Sequence, residues 1–200
     1  MVSGSGIAKL VATLPDGSKV SQSAGIAADG TWPFFGLPHQ ENGFIGGWIT
    51  FDPVDGESDA RGTLDWVKPV VSPDTYYQQG FTRQCEALLS QYVSEKNVPV
   101  LQFPAGENNS RFTVYEGDLS KLPLPRVLSL NAKGKVTSSA GDKFKMTLSL
   151  KSGLFSGSFP DPQSGNLRKF EGVVFQQQNR GVGYYEGNAD TGGIVFEAAR

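Results

Sequence analysis

A glycine-marked strand that occurs twice is the feature that most constrains this chain. The stretch Gly43–Phe51 (GFIGGWITF) recurs 110 positions later as Gly153–Phe159 (GLFSGSF). The same spacing persists beyond a loop, where Arg61–Leu64 corresponds to Glu171–Val174. This predicts an internal duplication of a strand, loop and strand. We expect one β domain over residues 1–200, with repeats over about 7–70 and 123–180 and an irregular middle over 71–122.

Turn residues divide the rest of the chain into short β-forming runs. Combinations of Gly, Pro, Asn and Asp recur between roughly twelve such runs, with no alternation of strands and helices. This pattern predicts an all-β fold, an antiparallel barrel-like domain or a sandwich, built from two duplicated β-meanders. The duplication favours closure, because pairing the edges of one meander with those of the other removes unpaired edges.

The repeated stretch Gly43–Phe51 is predicted to form a strand whose apolar residues share one face. Ile45, Ile49 and Phe51 fall on one face of a strand, and Gly43 and Gly47 share that face. We therefore expect something bulky to pack across these glycines, or the sheet to bend there.

Other expectations concern proline and the middle of the chain. Pro33 lacks a ladder donor, which places it on an edge or at a bulge.

Residues Phe81–Val93 fit a helical stripe and an alternating strand equally well, and their β neighbours favour extended structure. We also expect short strands over Pro99–Phe103 and Arg111–Tyr115.

Composition excludes some functions. The formal net charge of −2 offers no basic excess to hold a phosphate backbone, so we expect no nucleic-acid partner. No apolar run approaches the roughly 18 residues of a membrane-spanning helix. Cys85 is the only cysteine, so the chain has no intramolecular disulfide. The N-terminus lacks a signal-peptide pattern and leads at once into a strand, which suggests that Met1 was added to a domain of a longer chain.

The order of the motifs resembles a known family. The relevant stretches include Asp29–Pro33 (DGTWP), Leu64–Pro69 (LDWVKP), Ser152–Phe159 (SGLFSGSF) and Gly181–Tyr185 (GVGYY). Together they resemble a β-rich domain of unknown function found near the C-termini of large secreted multidomain proteins of Verrucomicrobia-type bacteria. The resemblance covers nearly the whole chain. It implies an extracellular or cell-surface module joined to other domains, and it carries no known activity or site residues.

Candidate catalytic groups are few. His39 is the only imidazole, so a Ser-His-Asp triad would have to use it, but no nucleophile-elbow motif accompanies it. Cys85 is a candidate nucleophile with only Arg83 nearby to lower its pKa, and a small buried residue is the commoner fate. A hydrolase would otherwise need paired carboxylates, and the candidates are Asp65 and the acidic run Asp52, Asp55, Glu57 and Asp59.

The same acidic run suits a solvated turn better than a metal site. It lacks the regular EF-hand spacing of a calcium loop. One histidine and one cysteine make a closed zinc site improbable. We therefore expect no metal and no cofactor.

The aromatic residues give the strongest functional signal. Trp and Tyr side chains stack on sugar rings, although they also fill the cores of barrels and sandwiches. Trp66 alternates with Leu64, and Trp48 is out of phase with Ile49, so we expect at least one of these two tryptophans on an outer or mouth-facing side. The sequence thus predicts a non-catalytic binding module for a polysaccharide or cell-surface glycan; the alternatives are a structural or adhesion module and a small hydrolase. The expected ligand-binding residues are Trp32, Trp48, Trp66, Tyr76 and Tyr77.

Overall fold

The structure is a computed structural model that describes residues 1–39, 42–70, 75–96, 98–119, 121–123 and 125–199. In this part of the chain every regular element is a β-strand, and every strand pairing is antiparallel. The predicted all-β, barrel-like class is confirmed. The chain divides into two compact units, Met1–Ser90 and Gln91–Arg200.

Unit 1 is a meander of six strands. Its two sheets are the pair β1-β2 and the four-stranded sheet β3-β4-β5-β6. The strands are β1 (Ile7–Thr13), β2 (Lys19–Gly25), β3 (Thr31–Gly36), β4 (Phe44–Thr50), β5 (Ala60–Lys68) and β6 (Phe81–Leu89).

A side chain joins the two sheets of unit 1. Gln22 of β2 donates from Nε2 to the carbonyl of Pro33 at 2.8 Å and accepts from the N–H of Phe35 at 2.7 Å. Because Pro33 has no N–H, β3 cannot form a full ladder on this side, and the amide of Gln22 supplies the contact instead. The prediction that Pro33 lies on an edge strand is confirmed.

Unit 2 is a nearly closed antiparallel barrel. Its eight strands follow the order β10-β11-β12-β13-β14-β7-β8-β9, and the end strands β9 and β10 lie side by side. The strands are β7 (Ser110–Tyr115), β8 (Arg126–Leu130), β9 (Val136–Ser138), β10 (Lys145–Leu148), β11 (Leu154–Pro160), β12 (Leu167–Phe175), β13 (Arg180–Glu186) and β14 (Thr191–Ala198).

Strands β4 and β11 contain the two copies of the repeated stretch, and each lies between two partners in its sheet. Their registers differ. Phe44 pairs with Val67, whereas Leu154, 110 positions later, pairs with Val173 rather than with residue 177. The two copies thus share strand order but not the residue-by-residue pairing, and the internal duplication stays a prediction.

The predicted irregular middle contains two strands. Residues 81–89 are extended, as expected, in β6, and Arg111–Tyr115 lies within β7. The strand predicted over Pro99–Phe103 is wrong. Residues 71–74 and two single positions of this region, 97 and 120, lie outside the described residues.

Side-chain amides of the turn between β12 and β13 hold the backbone at Gln102, in the segment that was expected to be a strand, and at Val93. Asn179 accepts from the N–H of Gln102 at 2.7 Å and donates to its carbonyl at 3.1 Å. Gln176 holds Val93 in the same way, with distances of 2.7 and 2.9 Å. These side-chain amides take the place of a neighbouring strand. The backbone N–H and C=O groups of Gln102 and Val93 are therefore hydrogen-bonded without a strand pairing.

Phenylalanine rings fill the barrel of unit 2. Phe170 contacts four other buried rings, and its centroid lies 4.8 Å from that of Phe112. Burial of one such side chain contributes about 1.5–3 kcal/mol. The rings that Phe170 contacts are Phe112, Phe144, Phe155 and Phe159.

Replacing Phe170 by Ala should lower the free energy of unfolding of unit 2 by about 3–5 kcal/mol, because the cavity cannot refill from four fixed rings. Urea unfolding followed by circular dichroism measures this. Leu167→Ala, a half-exposed position at 50% on the same strand, is the control and should have little effect. Equal losses in the two variants would contradict the packing described.

An ion pair closes one end of the barrel. Arg168 donates from Nη2 to Asp161 Oδ2 at 2.9 Å and from Nη1 to the carbonyl of Gly187 at 3.0 Å. The pKa of Asp161 is lowered to about 2. The backbone N–H of Gln163 is the main cause; with the Arg168 guanidinium, it outweighs the opposing effect of burial.

The free energy of unfolding of unit 2 should therefore depend on the ionisation of Asp161 at acid pH. Since its folded pKa lies below the unfolded value of about 4, ionised Asp161 stabilises unit 2 above about pH 4, and this contribution is lost as the pH falls towards 2. In Asp161→Asn the urea midpoint should fall less steeply over that window. Gln163→Ala retains the backbone donor and should follow the wild-type curve. Parallel curves for the wild type and Asp161→Asn would refute the assignment.

Candidate functional site

The outer face of the four-stranded sheet in unit 1 carries exposed aromatic rings. On β4 the side chains alternate: Ile45 and Ile49 are buried, while Phe44 and Trp48 face outward. Trp48 is 63% exposed, Phe35 on the neighbouring strand 51%, and Phe44 36%. We call Phe35, Phe44 and Trp48 the aromatic strip.

A glycine gives the strip its shape. Phe35 pairs across the sheet with Gly46, which lies between Phe44 and Trp48. A Cβ atom on Gly46 would lie 2.9 Å from Cδ2 of Phe35. The absence of a side chain there lets the Phe35 ring lie against β4, with its centroid 6.3 Å from that of Phe44 and the two ring planes 23° apart.

Polar side chains border the strip on its β5 and β6 side. Thr63 pairs with Trp48, and Asp65 pairs with Gly46. Gln84 and Glu86 of β6 are the next neighbours, opposite Asp65 and Thr63. Gln84 donates from Nε2 to Asp65 Oδ1 at 3.3 Å. All four side chains are exposed, and we call them the polar border.

The structure gives the five aromatic residues predicted as ligand-binding different environments. Trp48 lies in the strip. Trp32 and Trp66 are 1% and 7% exposed and belong to the core of unit 1. Tyr76 and Tyr77 are half-buried, and the Tyr77 ring packs edge-on to Phe81, with centroids 5.2 Å apart. Trp32 and Trp66 are thus unavailable at the surface.

Phe35 and Phe44 are members of the strip that sequence reasoning missed. The period of β3 contains a signal for Phe35, because Trp32 and Phe34 alternate with it and both are buried. Phe44 likewise lies four residues from Trp48 on the same strand face. The predicted ligand-binding residues are chosen by type and are all Trp or Tyr. Exposure, however, depends on which face of the strand a residue occupies.

His39 is part of a buried polar cluster. Its Nε2 lies 2.7 Å from Asp16 Oδ2, and the two side chains are 9% and 0% exposed. The other carboxylate oxygen, Oδ1, accepts from the hydroxyl of Ser18 at 2.6 Å and from its N–H at 3.0 Å. Ser18 thus donates to the carboxylate and not to the imidazole, which differs from the order of a catalytic triad. The cluster ties the β1–β2 turn to the loop before β4.

Loss of the His39 side chain should destabilise unit 1 by about 1–3 kcal/mol, because the Asp16 carboxylate would stay buried without this partner. His39 has a φ of +58°, which Asn tolerates better than Ala. His39→Ala should therefore be less stable than His39→Asn. All three tryptophans lie in unit 1, so the urea midpoint by tryptophan fluorescence measures both effects. An unchanged midpoint in His39→Ala would contradict this role.

Two further candidate groups, Asp52 and Cys85, lie in unit 1. Asp52 lies 3.8 Å from Arg61, and both side chains are mainly exposed. Partial burial raises the pKa of the Cys85 thiol, against the weaker opposite effect of Arg83. Within the described ranges no three His, Cys, Asp or Glu side chains are grouped to hold a metal ion. No helix long and apolar enough to cross a bilayer occurs there either.

Comparison with known proteins adds no relative: no family model, no curated protein and no solved structure matches this chain significantly. The geometry of unit 1 is therefore the basis for assigning a function.

Proposed function

We propose that this protein is a non-catalytic binding module whose aromatic strip and polar border bind carbohydrate. The observation that carries the proposal is the exposure of Trp48 beside Phe35 and Phe44 on one sheet face. A sugar ring offers C–H faces to an aromatic surface and hydroxyl groups to its rim. The strip supplies the first contact, and the polar border supplies donors and acceptors for the second.

The fold itself does not require these rings. At the 110-residue spacing, β11 carries Leu154, Ser156 and Ser158 where β4 carries Phe44, Gly46 and Trp48. Leu154 is 54% exposed and the strand is still formed, so an outer face of this kind is stable without aromatic residues. Exposed aromatic rings gathered on one face are typical of an interaction surface.

The resemblance to secreted bacterial domains supports an extracellular or cell-surface location and neighbouring domains in a larger parent chain. Fractionation of cells that make the parent protein tests this, with the protein expected outside the cell or on its surface. Recovery from the cytosol alone would contradict it.

Replacing Trp48 by Ala should weaken retention on an immobilised polysaccharide by about tenfold or more, equivalent to about 1.4 kcal/mol, because the largest exposed ring is lost. Affinity electrophoresis in gels that contain neutral and anionic polysaccharides measures it. Leu154→Ala is the matched control, since it removes an exposed apolar side chain from unit 2 and should not change retention. Both variants should keep the wild-type thermal midpoint.

Two outcomes would count against the proposal. Retention that is equal in the wild type and in Trp48→Ala would remove the strip as the site. Absence of binding to every polysaccharide, together with Trp48-dependent binding to a protein, would favour the structural or adhesion function instead.

A further inference from the structure

We infer that the aromatic strip takes an extended, uncharged glycan chain and discriminates against anionic polysaccharides. This inference rests on the proposed function and specifies its ligand class. It combines the length of the strip with the sign of the charges along its border.

The strip is longer than one sugar ring. Phe44 and Trp48 lie four residues apart on β4, a separation of roughly 13 Å at about 3.3 Å per residue of strand. Phe35, opposite Gly46, places a third ring between them. Three rings along the paired strands β3 and β4 offer successive contacts, so the ligand they fit is a chain of several sugars that runs along β4.

The two charged side chains of the polar border are both negative. The polar border contains Asp65 and Glu86, and its other two members, Thr63 and Gln84, are uncharged. On the β3 side of the strip, Thr31 and Pro33 are also uncharged. A chain laid on the strip thus meets two carboxylates along one edge.

The nearest cations on β5 and β6 have other contacts. Arg61 lies on the same face of β5, two residues from Thr63, and its guanidinium lies 3.8 Å from the Asp52 carboxylate, which offsets its charge. The guanidinium of Arg83 lies 5.7 Å from the centre of the Phe81 ring. An anionic chain would therefore face Asp65 and Glu86 without a compensating cation in the polar border, whereas the hydroxyls of a neutral chain can donate to these carboxylates.

Two pairs of polymers test the inference, each pair sharing a backbone and differing in charge. They are hydroxyethyl cellulose against carboxymethyl cellulose, and dextran against dextran sulfate. The proteins are the wild type, Trp48→Ala and the double variant Asp65→Asn/Glu86→Gln, which keeps the polar atoms and removes the charge. Affinity electrophoresis at low and high salt measures the retention of each.

The wild type should be retained by a neutral polymer at least about tenfold more strongly than by its anionic partner, with little dependence on salt. The double variant should reduce that ratio at low salt by raising retention on the anionic polymer. Trp48→Ala should lose retention on both. Oligosaccharides should compete more strongly as they lengthen, up to the length of the strip.

Failure of this inference differs from failure of the proposed function. Trp48-dependent binding that is equal or stronger for the anionic polymer, or a double variant with an unchanged ratio, would overturn the charge discrimination and leave the binding function standing. Competition by a monosaccharide as strong as that by a long oligosaccharide would overturn the extended ligand. If no polymer shows Trp48-dependent retention, the proposed function and this inference both fall.

Discussion

Close approach of neighbouring strands at glycine is the constraint on which both units depend. A Cβ atom on Gly47 would lie 2.2 Å from the carbonyl oxygen of Thr63, and one on Gly157 would lie 2.0 Å from that of Lys145. Such distances are far below van der Waals contact, so no side chain fits without moving the backbone of the next strand. Gly47 in β4 and Gly157 in β11 thus let each sheet curve around its own core, where the aromatic and aliphatic residues pack.

The same constraint links the fold of unit 1 to its candidate site. Gly47 lets β4 approach β5, and its neighbour Gly46 leaves room on the opposite face for the ring of Phe35. The strand pattern predicts a bulky group or a bend at Gly43 and Gly47. The group closest to these positions is the carbonyl backbone of β5, from Val67 in the first case and Thr63 in the second. Gly47 therefore allows the close approach of β4 to β5, and Gly46 allows the Phe35 ring to lie in the aromatic strip on the outer face.

Much of the architecture was predictable because it follows from local chemistry. The turn residues and alternating runs predicted the all-β class, and the missing N–H of Pro33 placed β3 on an edge. The segment 99–103 was not predictable in this way, since its backbone is satisfied by Asn179 from a distant turn. The polar run Gln176–Arg180 uses two of its side-chain amides to hold the backbone of Gln102 in that segment and of Val93.

By itself the sequence determined most of the strands, the turns between them and the absence of an intramolecular disulfide, because each depends on residue type and short-range period. Only the tertiary structure decided which tryptophan meets the solvent. Strands β3 and β4 carry large apolar side chains on both faces, so their alternation does not distinguish the core face from the outer face. Packing of Ile45, Ile49 and Trp32 into the core of unit 1 decides which face is buried. It leaves Trp48 exposed with Phe35 and Phe44.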